Sequence, residues 1–430
     1  MFLLKFYTDV MGVSAALVGL MMMAARFVDA ITDVTMGQIV DRSRPGKKGK
    51  FAPWLRRMCG PVALASFLMY ATWFKDMPMG FKIFWMFFTY LLWGSICYTG
   101  INIPYGSMAS AISDNPTDRT SLSNWRTIGA TLAQTAIGVV LPLVVYYTDE
   151  AGNSVLSGQK MMLGALVCSI GAVICYMLCY KMTTERVKVG QNTQKFSFGE
   201  LIKELAHNRS LIGIIVCALV FLLAQLSLSN MNAYIYPNYF GNIKAMSIAS
   251  LSGTIVILST FITKLASKIG KKELSVIGCI ISAASFITLF IIHTHNVWIW
   301  IALIIIATIG TSMFNMVIWA MITDVIDESE VQNGVRQDGT IYSVYSFARK
   351  LGQACSSGLA GVLLSIVGYT TATAFDPKVI DGIYNVTCLM PAAGMTLLLL
   401  ALIFLYPLNK KRVEANAAKL REIRAAKEQQ

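Results

Sequence analysis

Two aspartates, Asp29 and Asp33, lie four residues apart within an apolar segment at residues 14–41. On a helix this spacing puts both carboxylates on one face. Each charge in the bilayer interior costs at least about 2.5–3.5 kcal/mol on insertion scales. The pair therefore predicts an ion or proton site that faces a water-accessible cavity. The alternative is a buried ion-pair network that only fixes helix packing, because Arg26 is three residues from Asp29.

Oxygen atoms near this pair suggest what it could bind. Thr32 adds a hydroxyl beside the two carboxylates. Carboxylate, hydroxyl and carbonyl oxygens suit Na⁺, and paired acids also suit proton exchange. The same segment can therefore serve either cation.

A second polar patch interrupts a later apolar segment, at residues 98–107. Thr99 and Asn102 share one helical face, and Pro104 frees a backbone carbonyl nearby. Polar, proline-broken stretches are common where a membrane helix lines a binding site. The alternative is a tolerated kink with hydroxyl contacts between helices.

Further candidates lie at the start or inside other apolar segments. Arg126 either extends to the membrane interface or binds sugar hydroxyls or a carboxylate, with Trp125 as a stacking face. Asn315 and Trp319 are four apart and can line a central cavity. Lys350 lies about a third of the way into an apolar segment, which makes it another buried-charge candidate.

Composition identifies the class of protein. The 430 residues are 55% hydrophobic and only 14% charged, whereas soluble domains carry about 25% charged residues. A polytopic, all-α membrane protein follows. A shorter apolar piece, residues 1–13, precedes the predicted spans at 14–40, 58–74, 80–111, 121–147, 160–181, 210–240, 246–266, 274–293, 297–323, 339–368 and 379–407.

The net charge of +13 is unevenly distributed. Lysines and arginines concentrate in residues 41–57, 182–209 and 264–272 and in the tail from residue 408, while the alternate loops are nearly free of them. This is the positive-inside pattern. It places the tail in the cytoplasm, indicates the inner (cytoplasmic) membrane, and argues against nucleic acid as a partner.

The longest polar stretch divides the chain into two similar halves. We predict an N-terminal helix bundle at 1–181, a cytoplasmic loop with a surface helix at 182–209, a C-terminal bundle at 210–407 and a basic tail at 408–430. A basic Gly-Lys-Lys turn recurs after the second span of each half. Two six-helix bundles are typical of secondary transporters. We expect the first helix to be incomplete.

Several motifs carry a resemblance to a known family: residues 7–12, 25–37, 49–54, 102–107, 324–330 and 334–354. The chain resembles the glycoside–pentoside–hexuronide:cation symporters over nearly its whole length, and the last motif looks closest to the glucuronide carrier branch. The resemblance implies the major facilitator fold. It also implies that Asp29, Asp33 and Thr99 bind the cation, while Thr32 stands where relatives have asparagine.

The resemblance also assigns sugar-site positions. It implies that Arg126 contacts sugar and that Lys350 is important for conformational change. Asn102 stands in place of a sugar-binding aspartate, Gly106 in place of a stacking tryptophan and Asn315 in place of another aromatic residue. Fewer acids beside retained cations favour an anionic sugar.

The sequence therefore predicts a monomeric secondary transporter that imports a glycoside or glucuronide-like uronide with H⁺ or Na⁺ and needs no cofactor. One alternative is a transporter for a neutral pentoside or galactoside, and another is a shortened homolog that does not transport. A membrane-embedded sugar-transferring enzyme is the least favoured alternative, because the loops are short and basic. No nucleotide-binding or nucleophile motif is present in the sequence.

Overall fold

A computed structural model describes residues 2–43, 45–46, 48–113, 116–186, 208–251, 265–333 and 338–428. These residues are almost entirely helical. In a bilayer the apolar helix is favoured because every backbone polar group is bonded within the segment. Eight of the described helical segments are long and apolar enough to span a membrane.

Most helices of the first half coincide with the spans expected from hydropathy. An eight-residue helix, α1, precedes the long helix α2 that carries the aspartate pair. Helices α4 and α5 form one continuous span joined by a π-helical turn at Leu92–Tyr98. The bounds are α1 Phe2–Asp9, α2 Ala15–Arg42, α3 Ala52–Met69, α4 Met79–Leu91, α5 Thr99–Ile112, α6 Pro116–Val145 and α7 Gly158–Met182.

A short antiparallel hairpin of β1 (Tyr146–Thr148) and β2 (Ser154–Leu156) connects α6 to α7. Hydropathy did not reveal it, since each strand has only three residues. The predicted surface helix in the central loop lies mostly at residues outside the described ranges.

The second half begins with α8, which ends in another π-helical turn at Ile235–Tyr239. The predicted span at 246–266 is only partly described, as helix α9 and a helical stretch at 265–269. The bounds are α8 Arg209–Tyr234, α9 Ile243–Ser250, α10 Lys271–Ile292, α11 Val297–Asn333, α12 Asp338–Ile366, α13 Pro377–Phe404 and α14 Lys410–Glu428.

The chain forms two compact units that are interleaved along the sequence. The first contains Met1–Gln194, Asn232–Leu251 and Ser357–Ile380, and the second contains Lys195–Met231, Ser252–Ser356 and Asp381–Gln430. The division into two six-helix bundles stays a prediction.

Within the first unit, glycines let α2 approach α12 closely. A Cβ built on Gly361 would lie 2.3 Å from the carbonyl oxygen of Ala15, and one on Gly19 would lie 2.8 Å from that of Ser357. Small residues at such crossings allow backbones to pack in the absence of a hydrophobic driving force between helices. This crossing holds the first turns of α2, which carries Asp29 and Asp33.

Within the second unit, charged side chains join α10, α11 and the tail helix α14. Lys271 donates to Asp324 at 2.6 Å, and Arg412 forms an ion pair with the buried Glu328. These contacts explain why α11 continues ten residues past the predicted end of its span. Asp324 and Glu328 are each paired with a basic side chain. The helix therefore does not have to end for these carboxylates to be stabilised.

Candidate functional site

The aspartates of α2 face the π-helical turn and the start of α5. Ser95 Oγ donates to Asp29 Oδ1 at 2.6 Å, and Thr99 Oγ1 donates to Asp33 Oδ1 at 2.9 Å. Both pairs are 66 residues apart in sequence, so equal spacings on the two helices match each acid with one hydroxyl. We call Arg26, Asp29, Asp33, Ser95 and Thr99 the aspartate cluster.

The π-helical turn brings backbone oxygen into the aspartate cluster. The carbonyl of Gly94 accepts from the backbone N–H of Thr99 and lies 3.2 Å from Thr99 Oγ1. A Cβ on Gly94 would lie 3.4 Å from Asp29 Oδ1. Single π turns in membrane helices are frequent at functional sites. Here the hydroxyls of Ser95 and Thr99 each contact one carboxylate, and the Gly94 carbonyl contacts Thr99.

Arg26 is held loosely beside Asp29. Its Nη1 lies 3.4 Å from Asp29 Oδ2, and its side chain is 38% exposed. Its Nε atom is buried without a hydrogen-bond partner among the described residues. Two carboxylates on one helix face favour a nearby cation.

The Thr32 hydroxyl is bonded within its own helix. Its hydroxyl donates to the backbone oxygen of Asp29 at 3.1 Å. The hydroxyl proton is therefore used within the helix, whereas its lone pairs stay available as acceptors. A role for Thr32 as a cation ligand stays a prediction.

The expected sugar-site residues of the first unit lie on α5 and α6. The Arg126 guanidinium lies 5.1 Å from the ring centroid of Tyr105. A Cβ on Gly106 would lie 3.9 Å from Arg126 Nη1. Asn102, one turn before Gly106, is half-buried. The structure thus brings Arg126 to the α5 segment that carries Asn102, and Tyr105 is a contact that sequence reasoning missed.

Trp125 is 69% exposed. Adjacent residues on a helix point about 100° apart, so Trp125 and Arg126 do not present one surface. The expectation that Trp125 forms a stacking face beside Arg126 has no contact to support it in the described part of the chain.

In the second unit, Trp319 contacts residues of α12. Its ring packs edge-to-face on Tyr345 at 5.3 Å, and the Arg349 guanidinium lies 5.2 Å from its centroid. Arg349 also donates to the Tyr345 hydroxyl at 3.2 Å. Asn315, one turn before Trp319, is exposed, and Lys350 is half-buried. Sequence reasoning chose Lys350 and missed Arg349, although both are cations inside an apolar segment.

A second charged group in the first unit also escaped the sequence analysis. Lys5 Nζ contacts Asp9 Oδ2 at 2.9 Å, Asn238 Oδ1 at 2.6 Å and the Tyr369 hydroxyl at 2.7 Å. These three contacts use all three ammonium hydrogens. The Lys5 side chain is 2% exposed. We call Lys5, Asp9, Asn238 and Tyr369 the lysine cluster.

Tyr369 links the two charges of the lysine cluster. Its hydroxyl accepts from Lys5 and donates to Asp9 Oδ1 at 2.8 Å. The pKa of the phenol lies well above its usual value, because the ring is buried and the Asp9 carboxylate lies beside it. Tyr369 therefore remains a protonated donor. The signal in the sequence was Lys5 with Asp9 four residues later in an apolar segment.

The match to known proteins extends over most of the chain. Residues 1–410 match the model of a family described as MFS/sugar transport protein. The chain belongs to this family. It is a multi-pass membrane transporter with the major facilitator fold and not an enzyme, and the predicted membership in the glycoside–pentoside–hexuronide group is confirmed.

Characterised relatives support the same assignment. A glucuronide carrier protein homolog of Escherichia coli is 31% identical over 96% of this chain and 89% of its own length. An isoprimeverose transporter of Lactiplantibacillus pentosus is 28% identical over 95% and 84%. The crystal structure of a D-xylose-proton symporter has a TM-score of 0.61 at 13% identity, covering 94% of this chain and 95% of that one. This last likeness concerns the fold alone.

Proposed function

We propose that this chain imports a glycoside or uronide together with H⁺ or Na⁺ by alternating access, acting as a monomer. The observation that carries the proposal is the aspartate cluster, in which Asp29 and Asp33 each meet a hydroxyl of the adjacent span. Sugar-transporting relatives supply the other half of the argument.

The charges of the cluster supply a reason for coupling. Asp29 and Asp33 place two carboxylates on one face of α2, and Arg26 contacts Asp29 only at 3.4 Å. A bound H⁺ or Na⁺ offsets negative charge in the cluster and lowers the cost of its low-dielectric surroundings. The loaded site is thus better suited than the empty one to a conformational change in the membrane.

The substrate that fits best is an anionic sugar such as a glucuronide. Arg126 is exposed on α6, and its planar fork can hold a carboxylate through two hydrogen bonds. Asn102 supplies a neutral polar side chain on the α5 segment next to it. A neutral pentoside or galactoside is the second candidate, favoured by the similarity to an isoprimeverose transporter.

The coupling proposal is tested by sugar accumulation in membrane vesicles with imposed Na⁺ or pH gradients. Asp29→Asn and Asp33→Asn should each abolish accumulation while sparing downhill exchange. Asp76→Asn, at an exposed loop position, is the matched control and should accumulate normally. Accumulation by Asp29→Asn at the level of the unmodified chain would show that the cation site is misassigned.

The substrate proposal is tested with labelled glucuronide, xyloside and galactoside. The unmodified chain should take up the glucuronide, and Arg126→Lys should reduce that uptake about ten-fold or more, because a lysine cannot reproduce the bidentate geometry. Uptake of a neutral glycoside with no response to glucuronides contradicts the anionic preference and favours the second candidate.

We also propose that the protein lies in the inner membrane with α14 in the cytoplasm. The basic side chains at the start of α14, including Lys410 and Arg412, support this orientation. A fluorescent reporter fused after residue 430 should fold and fluoresce, whereas an alkaline phosphatase fused there should be inactive. The reverse result contradicts the orientation.

A further inference from the structure

Ser95 makes the shortest contact in the aspartate cluster, and neither the family resemblance nor the proposed function assigns it a role. Its hydroxyl lies 2.6 Å from Asp29 Oδ1. The residue is only 4% exposed. Its side chain is therefore enclosed by protein with its polar atom directed at the carboxylate.

The π-helical turn holds Ser95 in this position. Gly94, the residue before it, has no side chain to separate the turn from Asp29. The carbonyl of Gly94 lies 3.2 Å from Thr99 Oγ1, which in turn contacts Asp33. Two hydroxyls, that of Ser95 in the turn and that of Thr99 directly after it, thus contact the two carboxylates.

We infer that Ser95 is an oxygen ligand of the coupling-ion site and that it favours Na⁺ over H⁺. The inference rests on the proposed function, because it places Ser95 in the site formed by Asp29 and Asp33. In the structure the hydroxyl donates its proton to Asp29. A hydroxyl also carries two lone pairs, so rotation about the Cβ–Oγ bond turns it into a donor of electron density to Na⁺.

The two coupling ions depend differently on this hydroxyl. Na⁺ requires several oxygen ligands, and the loss of one leaves part of its shell unfilled. A proton binds one carboxylate oxygen and needs no shell. Removing the hydroxyl therefore weakens Na⁺ use and does not weaken H⁺ use.

Among the described contacts of Asp29, the other charged one is with Arg26. Arg26 Nη1 lies on the opposite carboxylate oxygen, Oδ2, at 3.4 Å. Ser95 and Arg26 thus contact different oxygens of the Asp29 carboxylate. A change at Ser95 leaves the ion pair in place, so an effect on ion choice can be assigned to the lost hydroxyl.

The test uses the purified full chain in proteoliposomes, with sugar accumulation driven by a Na⁺ gradient at constant pH or by a pH gradient without Na⁺. Ser95→Ala should raise the Na⁺ concentration for half-maximal uptake about ten-fold, the scale seen when ligand-shell groups are lost. Accumulation driven by the pH gradient should be unchanged or higher. Ser95→Thr keeps the hydroxyl and should behave like the unmodified chain.

The matched control is Ser285→Ala, which removes another buried hydroxyl that bonds only to a carbonyl of its own helix among the described contacts. It should change neither gradient response. Na⁺-dependent protection of purified Ser95→Ala against thermal unfolding gives a second readout that does not require transport. That protection should need about ten-fold more Na⁺.

Failure of this inference is distinguishable from failure of the proposed function. Loss of accumulation in Asp29→Asn together with an unaltered Na⁺ response in Ser95→Ala overturns the role of Ser95 alone. An equal loss with both gradients in Ser95→Ala shows a structural role and also overturns it. Normal accumulation by Asp29→Asn overturns the cation site itself.

Discussion

The aspartate cluster and the lysine cluster bury their ion-paired acids to the same degree. They differ in how tightly the paired basic side chain is held. The Asp29 and Asp9 side chains are 14% and 13% exposed, whereas those of Arg26 and Lys5 are 38% and 2% exposed. Lys5 uses every donor at 2.9 Å or less. Arg26 approaches its acid only to 3.4 Å and leaves Nε without a partner in the described structure.

The difference separates a structural ion pair from a functional one. A fully bonded pair gains its stability from one arrangement and resists change. A loosely bonded pair beside a second carboxylate can accept another ion at little cost in existing contacts. We therefore expect substitutions in the lysine cluster to reduce stability, and those in the aspartate cluster to reduce coupling.

The largest expected effect on stability comes from Lys5→Met. It leaves the Asp9 carboxylate buried without its cation, which costs about 3–5 kcal/mol. The free energy of unfolding in detergent measures this loss. Lys5→Met combined with Asp9→Asn should recover a large part of it, since no uncompensated charge remains. A loss below about 1 kcal/mol would contradict the interpretation that this pair is a fully bonded, structural ion pair.

Tyr369→Phe should have the next largest effect. It removes the hydroxyl that accepts from Lys5 and donates to Asp9, and a buried charged group that loses such a bond costs about 1–3 kcal/mol. Tyr147→Phe, at a position that is 47% exposed, is the control for removal of a phenol oxygen. Equal stabilities of the two variants would show that the Tyr369 hydroxyl contributes nothing.

Asp29→Asn should lower the free energy of unfolding by only about 1 kcal/mol. The amide oxygen of asparagine still accepts from Ser95, and Arg26 is exposed enough to be solvated. The same variant should lose accumulation completely. Measurements of unfolding in detergent and of vesicle uptake on one preparation test both statements. A large loss of stability would contradict the expected difference from Lys5→Met.

Arg26→Gln should have the smallest effect on stability, below about 1 kcal/mol, because its ion pair is long and partly exposed. It makes the aspartate cluster more negative, so cation affinity should rise. Na⁺-dependent thermal protection of the purified variant measures that change. A fall in cation affinity would show that Arg26 holds Asp29 in its binding orientation.

Periodicity and hydropathy were sufficient to predict most of the described spans and to single out Asp29 and Asp33, whose role as a cation site stays a prediction. Asp29 and Asp33 stand out because charge in an apolar segment is costly and their spacing defines one face. Arg126 and Lys350 were found for the same reason. These predictions concern single helices, and a single helix is what periodicity describes.

Residues whose role depends on a contact with another helix were harder to predict. Ser95 is an ordinary residue in a membrane helix, and only its partner Asp29, 66 positions away, distinguishes it. Lys5 depends on Asn238 and Tyr369, which are 233 and 364 positions away. The sequence drew attention to the polar patch around Pro104 at residues 98–107, but the π turn at Leu92–Tyr98 begins before it and was not predicted.

The π turn has a consequence for how this transporter could diverge from its relatives. Such a turn holds about one residue more than an α-helical turn, and each residue rotates the helix that follows by about 100°. Deleting one residue at 92–98 would turn Thr99 away from Asp33 and Tyr105 away from Arg126 in the same step. Under the proposed function, a single insertion or deletion here would therefore alter ion and sugar recognition together.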